Sequence, residues 1–198
     1  MAYPSTVKMS QATLTSITPT LKTKSISGIE TRASVGSQYF QVNGSFNNIT
    51  DDESRALYAF LISGSITAFD LPLPNPIGNT SGTDYGTFNV TSGVAAGNTS
   101  LTVDTPSYAS GTLAKAGDLI SFSSTHDKVY MLTADFTVSA YSGTMNIFPA
   151  LTSAITTADD VVYRSVEMKV RIANDEMAES ITTGQFSSFS LLFEEVIE

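Results

Sequence analysis

The stretch GTLAKAGDLISF, residues 111–122, carries the ingredients of a phosphate-holding loop: two glycines, a lysine between them, and an aspartate directly after the second. A Walker loop needs G-x-x-x-x-G-K-[ST] opening a helix, so that backbone amides and the lysine converge on phosphate. Here five residues separate Gly111 from Gly117, Asp118 stands where the lysine belongs, and the strand-like DLISF follows. A carboxylate at that position repels phosphate. The stretch therefore reads as a turn, in which Gly117 supplies a positive φ and Asp118 caps local amides, leading into a strand that carries Ile120 and Phe122.

The single histidine, His126, stands beside Asp127 and near Lys128 in SSTHDKVY. A nucleophilic triad would need serine, histidine and acid to converge, and with serine so common the pattern selects no partner, so His126 reads as part of a solvated loop. The acidic pairs Asp51-Asp52, Asp159-Asp160 and Glu194-Glu195 are adjacent in sequence, which suits helix starts and surface charge better than converging carboxylates. No D-x-[DN]-x-[DN]-G spacing occurs, so no metal site is expected. Tyr85, Tyr108 and Tyr141 fall in expected loops and could stack on sugar rings, although such tyrosines more often pack or form interfaces. No catalytic residue and no cofactor is expected.

Composition narrows the function classes further. The 198 residues suffice for one well-buried domain or two small ones, and 41% hydrophobic content permits real cores. Ten basic against 19 acidic residues give a formal charge of −9, which repels nucleic-acid backbone and anionic membrane surfaces. Without cysteine, disulfides, thiolate catalysis and sulfur-based zinc sites are excluded. The N-terminus MAYPSTVKMSQATLTS has no basic segment followed by an apolar one, and no apolar run approaches the roughly 20 residues that span a bilayer. A soluble product without a secretion signal is expected. Serine and threonine are abundant alongside Val, Ile, Tyr and Phe, a mixture that favours strands. That abundance also accounts for N-x-[ST] sequons at Asn43, Asn48, Asn79, Asn89 and Asn98 as coincidences.

The elements that would position any site are therefore mainly strands. In SISGIETRASVGSQYFQVNGSF, Phe40, Val42 and Phe46 fall on one face and Tyr39, Gln41, Asn43 and Ser45 on the other, with Gly28, Gly36 and Gly44 as turns or bulges. TDDESRALYAFLISG reads as a helix. Thr50 and Glu53 form a capping box, Asp51 and Asp52 suit the positive end of the dipole, Leu57, Phe60 and Leu61 share a face, and Gly64 stops it. After a strand in SITAFDLPLP, the segment NPIGNTSGTDYG marks a boundary near residues 73–87. From there to about Arg164 short strands follow one another in GTFNVTS, TSLTVD, DLISF, KVYMLTADF and TMNIFPAL, a spacing that suggests a small barrel or sandwich.

The earlier pattern resumes in VEMKVRI, where Val166, Met168, Val170 and Ile172 alternate with Glu167, Lys169 and Arg171, and in SSFSLLFEEVIE, where Phe189, Leu191 and Phe193 share a side. These strands pair either with each other or with the strands before residue 72. The second arrangement makes residues 73–164 an insertion into a unit built from 1–72 and 165–198. Glu194, Glu195 and Glu198 then form an acidic strand end that would keep the chain monomeric until a neighbour supplies positive charge.

Taken in order, KSISGIETRASVGSQYFQV, SRALYAFLISG, AFDLPLP, GTLAKAGDLISF, KVYMLTADF, TMNIFPALTSAI and the final VEMKVRI and FSLLFEEVIE resemble tailed-bacteriophage virion proteins akin to distal tail, or baseplate hub, proteins. The matching positions are Gly36, Gln38 and Phe40 in a G-x-Q-aromatic strand, Leu57, Phe60 and Leu61 on the helix, Gly117, Asp118, Ile120 and Phe122 in the turn and strand, and Tyr130 after them. The resemblance implies a split β-barrel with one α-helix, carrying an inserted small β-barrel or sandwich module. It also implies a virion component, made in the bacterial host cytoplasm, that forms a ring, usually a hexamer, at the distal end of the tail tube. There it would join the tube to the hub and receptor-binding apparatus, with tube, hub and fibre proteins as partners and no membrane or specific nucleic-acid contact. A carbohydrate-binding or adhesin module is the alternative from another class, and a tail-tube subunit the alternative within the virion class.

Overall fold

The structure is a computed structural model that describes residues 3–4, 6–64, 67–74, 86–123, 126–173, 180–182 and 186–197. Asn79, Tyr85 and Glu198, and all but the last residue of the expected boundary segment 75–86, lie outside the described residues. The fold is mainly β with one helix, the class expected from the sequence.

Chain order begins with β1 (Gln11–Ile17), the hairpin β2 (Thr20–Lys24) and β3 (Glu30–Ser34), and the long β4 (Tyr39–Thr50). Helix α1 (Asp51–Gly64) and β5 (Phe69–Pro72) follow, and then the short strands β6 (Phe88–Val90), β7 (Ser100–Asp104), β8 (Ser110–Ala114), β9 (Leu119–Phe122), β10 (Tyr130–Leu132), β11 (Phe136–Ser139), β12 (Ser142–Phe148) and β13 (Asp160–Val162). The chain ends in β14 (Glu167–Ile172), β15 (Ser180–Thr182) and β16 (Phe186–Glu195).

One sheet has the order β1-β4-β16-β14-β5, with β15 paired to β16. Every pairing in it is antiparallel. Strand β4 alternates as its sequence dictates, burying Phe40, Val42 and Phe46, while β14 buries Val166 just before it, Met168 and Val170, and β16 buries Phe189, Leu191 and Phe193. Onto this face packs α1, through Leu57, Phe60 and Leu61. The helix starts where its box requires: Glu53 Oε2 accepts from the Thr50 amide at 2.9 Å and the Thr50 hydroxyl at 2.8 Å. An aromatic chain seals the core, with Phe60 edge-on to Phe69 at 4.9 Å and Phe69 edge-on to Phe193 at 6.1 Å. Tyr3 covers its end, donating to the Val7 carbonyl at 3.0 Å, and burial pushes its phenol far above the ordinary range.

The second sheet runs β10-β9-β13-β6-β7-β12 and closes through a β10–β12 pairing, with β11 and β8 continuing from β12. Six strands thus form a closed barrel, which removes edges that would otherwise seek partners. Its interior is filled by Phe88, Val103, Leu113, Ile120, Tyr130, Phe136, Met145 and Ile147. Phe88 stacks on Tyr163 at 4.0 Å. The β11–β12 turn uses Ala140 and Tyr141 at φ 52° and 66°, the double positive φ of a type I′ connection made without glycine.

Several local expectations are corrected. KVYMLTADF is two strands rather than one, because Asp135 sits in the turn between them and accepts the Ala116 amide at 2.9 Å. Gly44 is neither turn nor bulge. It lies within β4 opposite Ala12, and a Cβ there would stand 2.7 Å from the Met9 sulfur, so its role is to admit that side chain. Strands β1, β2, β8, β13 and β15 lie outside the expected ones: β1 is rich in Thr and Ser and buries none of its residues fully, so its alternation carries little signal.

Candidate functional site

The turn that raised the phosphate question is already occupied. Gly117 has φ +96°, Asp118 Oδ2 accepts the Lys115 amide at 2.7 Å, and Asp135 takes the next amide. Two carboxylates therefore satisfy the amides that a phosphate would need. Ile120 and Phe122, one strand further on, and Tyr130 belong to the barrel core, whereas Phe40, Leu57, Phe60 and Leu61 belong to the core under α1. Gly36, at φ +100°, and Gln38 stand between β3 and β4. The Gln38 amide donates to Ser16 Oγ at 2.9 Å, and its buried Oε1 has no hydrogen-bond partner among the described residues. The residues singled out from the sequence are thus split between two cores and converge on no common site.

What does converge is a set of polar residues where the barrel meets the open sheet. Lys128 precedes β10 and Glu195 ends β16, and their charged groups form a buried ion pair with Lys128 only 1% exposed. Glu195 also accepts the Phe40 amide at 2.8 Å through Oε2 and the Val129 amide at 2.8 Å through Oε1. The Lys128 ammonium lies 5.0 Å from the centre of the Phe40 ring, within cation–π range. Burial pushes the Lys128 ammonium below its ordinary value, and the Glu195 charge and hydrogen bond partly oppose that shift. One carboxylate therefore ties together the start of β4, the entry to β10 and the end of β16. This corrects two expectations: Glu195 is not a surface charge, and its counter-ion is Lys128 of the same chain rather than a neighbour's cation. The signal was in the alternation, since the inward period of Phe189, Leu191 and Phe193 continues to position 195.

His126 is corrected in the same way. It is buried rather than solvated, lying 5.4 Å from Phe122 ring to ring. Its Nε2 is 3.3 Å from the Ala154 carbonyl and its Nδ1 3.4 Å from the Tyr130 hydroxyl. That hydroxyl also meets Thr152 Oγ1 at 3.1 Å and accepts the Thr152 amide at 3.2 Å. The histidine is a packing and hydrogen-bonding group, and no serine joins it in a triad among these contacts. Asp159, read as surface charge, is buried as well: its Oδ2 accepts the Thr156 amide at 2.7 Å and hydroxyl at 3.0 Å, closing a turn before β13. Tyr108 is half-buried against the barrel core, and Tyr141 stands exposed at the β11–β12 turn.

Beside the ion pair a cleft of about 400 Å³ opens between the two sheets, lined by Asp70, Phe122, His126, Asp127, Glu167 and Lys169 among others. Asp127 Oδ2 accepts from Lys169 Nζ at 2.8 Å, a second and more exposed bridge across the joint. The other conspicuous surface is the β2–β3 hairpin, all of whose strand residues are exposed on both faces.

Comparison with known proteins bears on the barrel. No curated protein matches the chain. Residues 77–166 match the model of the family described as distal tail protein pb9, B domain, a stretch that spans all the strands from β6 to β13. Over that barrel the chain is similar to this family, a likeness that supports a tailed-phage distal-tail-like protein.

Proposed function

We propose that this structural tail component forms a ring at the distal end of the tail tube and joins the tube to the hub and receptor-binding apparatus. Residues 73–164 would be a unit inserted into a body made by 1–72 and 165–198, projecting from the ring. The observation that carries the reading is the open sheet, whose end strands are β1 and β5. Unpaired strand edges seek partners, and the two edges of one sheet differ, so their contact is head to tail, the kind that closes into rings. The Lys128–Glu195 joint supports a load-bearing part, because it fixes the barrel to the sheet that would line the ring.

In this reading Gly36, Gln38, Phe40, Leu57, Phe60, Leu61, Gly117, Asp118, Ile120, Phe122 and Tyr130 keep the fold and perform no chemistry. A hexamer is the closure that the family resemblance favours, with the tube, hub and fibre proteins as neighbours in the virion. Negative-stain microscopy with native mass spectrometry of the purified chain tests this. Single closed rings support it, extended tubes reassign the chain to the tube wall, and a monomer that binds glycans overturns it in favour of an adhesin module.

A further inference from the structure

The β2–β3 hairpin is the least explained part of the molecule. Its register sets Leu21 opposite Ala33, Lys22 opposite Arg32, Thr23 opposite Thr31 and Lys24 opposite Glu30. Alternation therefore gives it one face of Leu21, Thr23, Thr31 and Ala33 and another of Lys22, Lys24, Glu30 and Arg32. Neither face is covered, and Leu21, Ile26, Ile29 and Val35 are all exposed. A two-stranded ribbon without a third layer is marginal in water. Lys22 stands directly opposite Arg32, a like-charge pair that weakens the ribbon further. Glu30 pairs with Arg32 on the same face and offsets part of that repulsion, and the arm face keeps a net positive charge for an anionic surface to meet.

Charge says what that surface is. Residues 1–49 carry Lys8, Lys22, Lys24 and Arg32 against Glu30, a formal +3 in a chain of −9, which leaves −12 on the remainder. The rest of a second copy is thus the complementary partner. Within it, the cleft between the sheets is lined by Asp70, Asp127 and Glu167 against Lys169. Topology places donor and acceptor at opposite edges of the same sheet: the hairpin leaves from β1, and the cleft lies along β5. Register places them at the same end, since Ile17 pairs with Tyr39, Gln41 with Glu194, Val170 with both Glu195 and Phe69, and Lys169 with Asp70. An arm at one edge and a receptor at the other, level with each other, is the arrangement that repeats around a ring.

We infer that the β2–β3 hairpin is a docking arm for a second copy of this chain, its Lys22, Lys24 and Arg32 face seated at the neighbour's Asp70–Asp127–Glu167 cleft. The inference rests on the ring reading and specifies its contact. Two charge-reversed chains test it: an arm variant, K22E/K24E/R32E, and a cleft variant, D70K/E167K. All five positions are solvent-exposed, so neither core is altered. Wild-type protein should associate in sedimentation at low salt. Each variant alone should associate at least about tenfold more weakly, because its arm and cleft now carry the same sign, and an equimolar mixture should recover wild-type association. If both variants associate as the wild type does, the arm-to-cleft contact is wrong while the ring stands. If the wild type stays monomeric at every concentration and salt, both fall.

Discussion

Lys128 and Glu195, 67 positions apart in the chain, meet in a buried ion pair whose carboxylate also takes the amides of Phe40 and Val129. Two charges removed from water are worth keeping only when further hydrogen bonds support the pair, and here one carboxylate closes three chain segments onto one point. Removing one partner strands the other, so Lys128→Met or Glu195→Gln alone should each lower the unfolding free energy by about 3–5 kcal/mol. The Lys128→Met, Glu195→Gln double variant should lose clearly less than the sum, since a neutral amide still accepts a backbone N–H and no buried charge is left. Urea unfolding of the four proteins gives the coupling, and strictly additive losses would show that the pair does not act as a unit.

The capping box makes a pH prediction. The Thr50 amide, and after it the Thr50 hydroxyl, hold the Glu53 carboxyl below its ordinary value. A carboxyl whose folded value is depressed contributes stability that is present above the unfolded value, near 4.5, and is lost as pH falls through the folded one. Glu53→Gln keeps an acceptor but cannot titrate. The melting-temperature difference between wild type and this variant should therefore shrink as pH falls from about 6 to 3. Thermal melts followed by circular dichroism would refute this by giving a constant difference.

The sequence displays the open sheet and α1 because both are local patterns. Val166, Met168 and Val170, or Phe189, Leu191 and Phe193, announce an inward face by period two, and Thr50 with Glu53 announces a helix start by chemistry alone. The same period ran on to Glu195, but an acidic doublet at a strand end looks like surface charge unless its cation is known, and Lys128 is distant in sequence. Barrel closure depends on Met131 meeting Phe148, a non-local pairing that no short window contains. His126 and Asp159 misled for a related reason. A polar residue in a turn looks solvated, and only the tertiary fold brings up the Ala154 carbonyl to cover the one while local capping of Thr156 buries the other.

Two glycines should respond very differently to alanine. At Gly143 in β12 a Cβ would stand 2.6 Å from the Thr137 carbonyl oxygen and 2.8 Å from the Phe136 ring, neither of which can swing away. At Gly44 the nearest atom is the far end of the flexible Met9 side chain. Gly143→Ala should therefore cost about 1–3 kcal/mol or more by overpacking, and Gly44→Ala distinctly less. Equal shifts in urea midpoint would show that the β11–β12 hairpin is not held where the carbonyl of Thr137 places it.

The hairpin arm makes the reverse kind of prediction, one of no effect on stability. Replacing residues 20–34 by Asn-Gly would join Pro19 to Val35, whose backbones already meet through the Val35 amide and the Pro19 carbonyl at 2.8 Å. A two-residue Asn-Gly turn suits antiparallel neighbours of this kind. The excised residues contribute no buried side chain, so the shortened monomer should unfold within about 0.5 kcal/mol of the full chain. Its association should nevertheless be lost, because the segment removed is the one that reaches the neighbour. Urea unfolding and sedimentation of the same sample separate the two effects: a large stability loss would mean that the arm folds back onto its own body, and undiminished association would mean that the ring is made by the sheet edges alone.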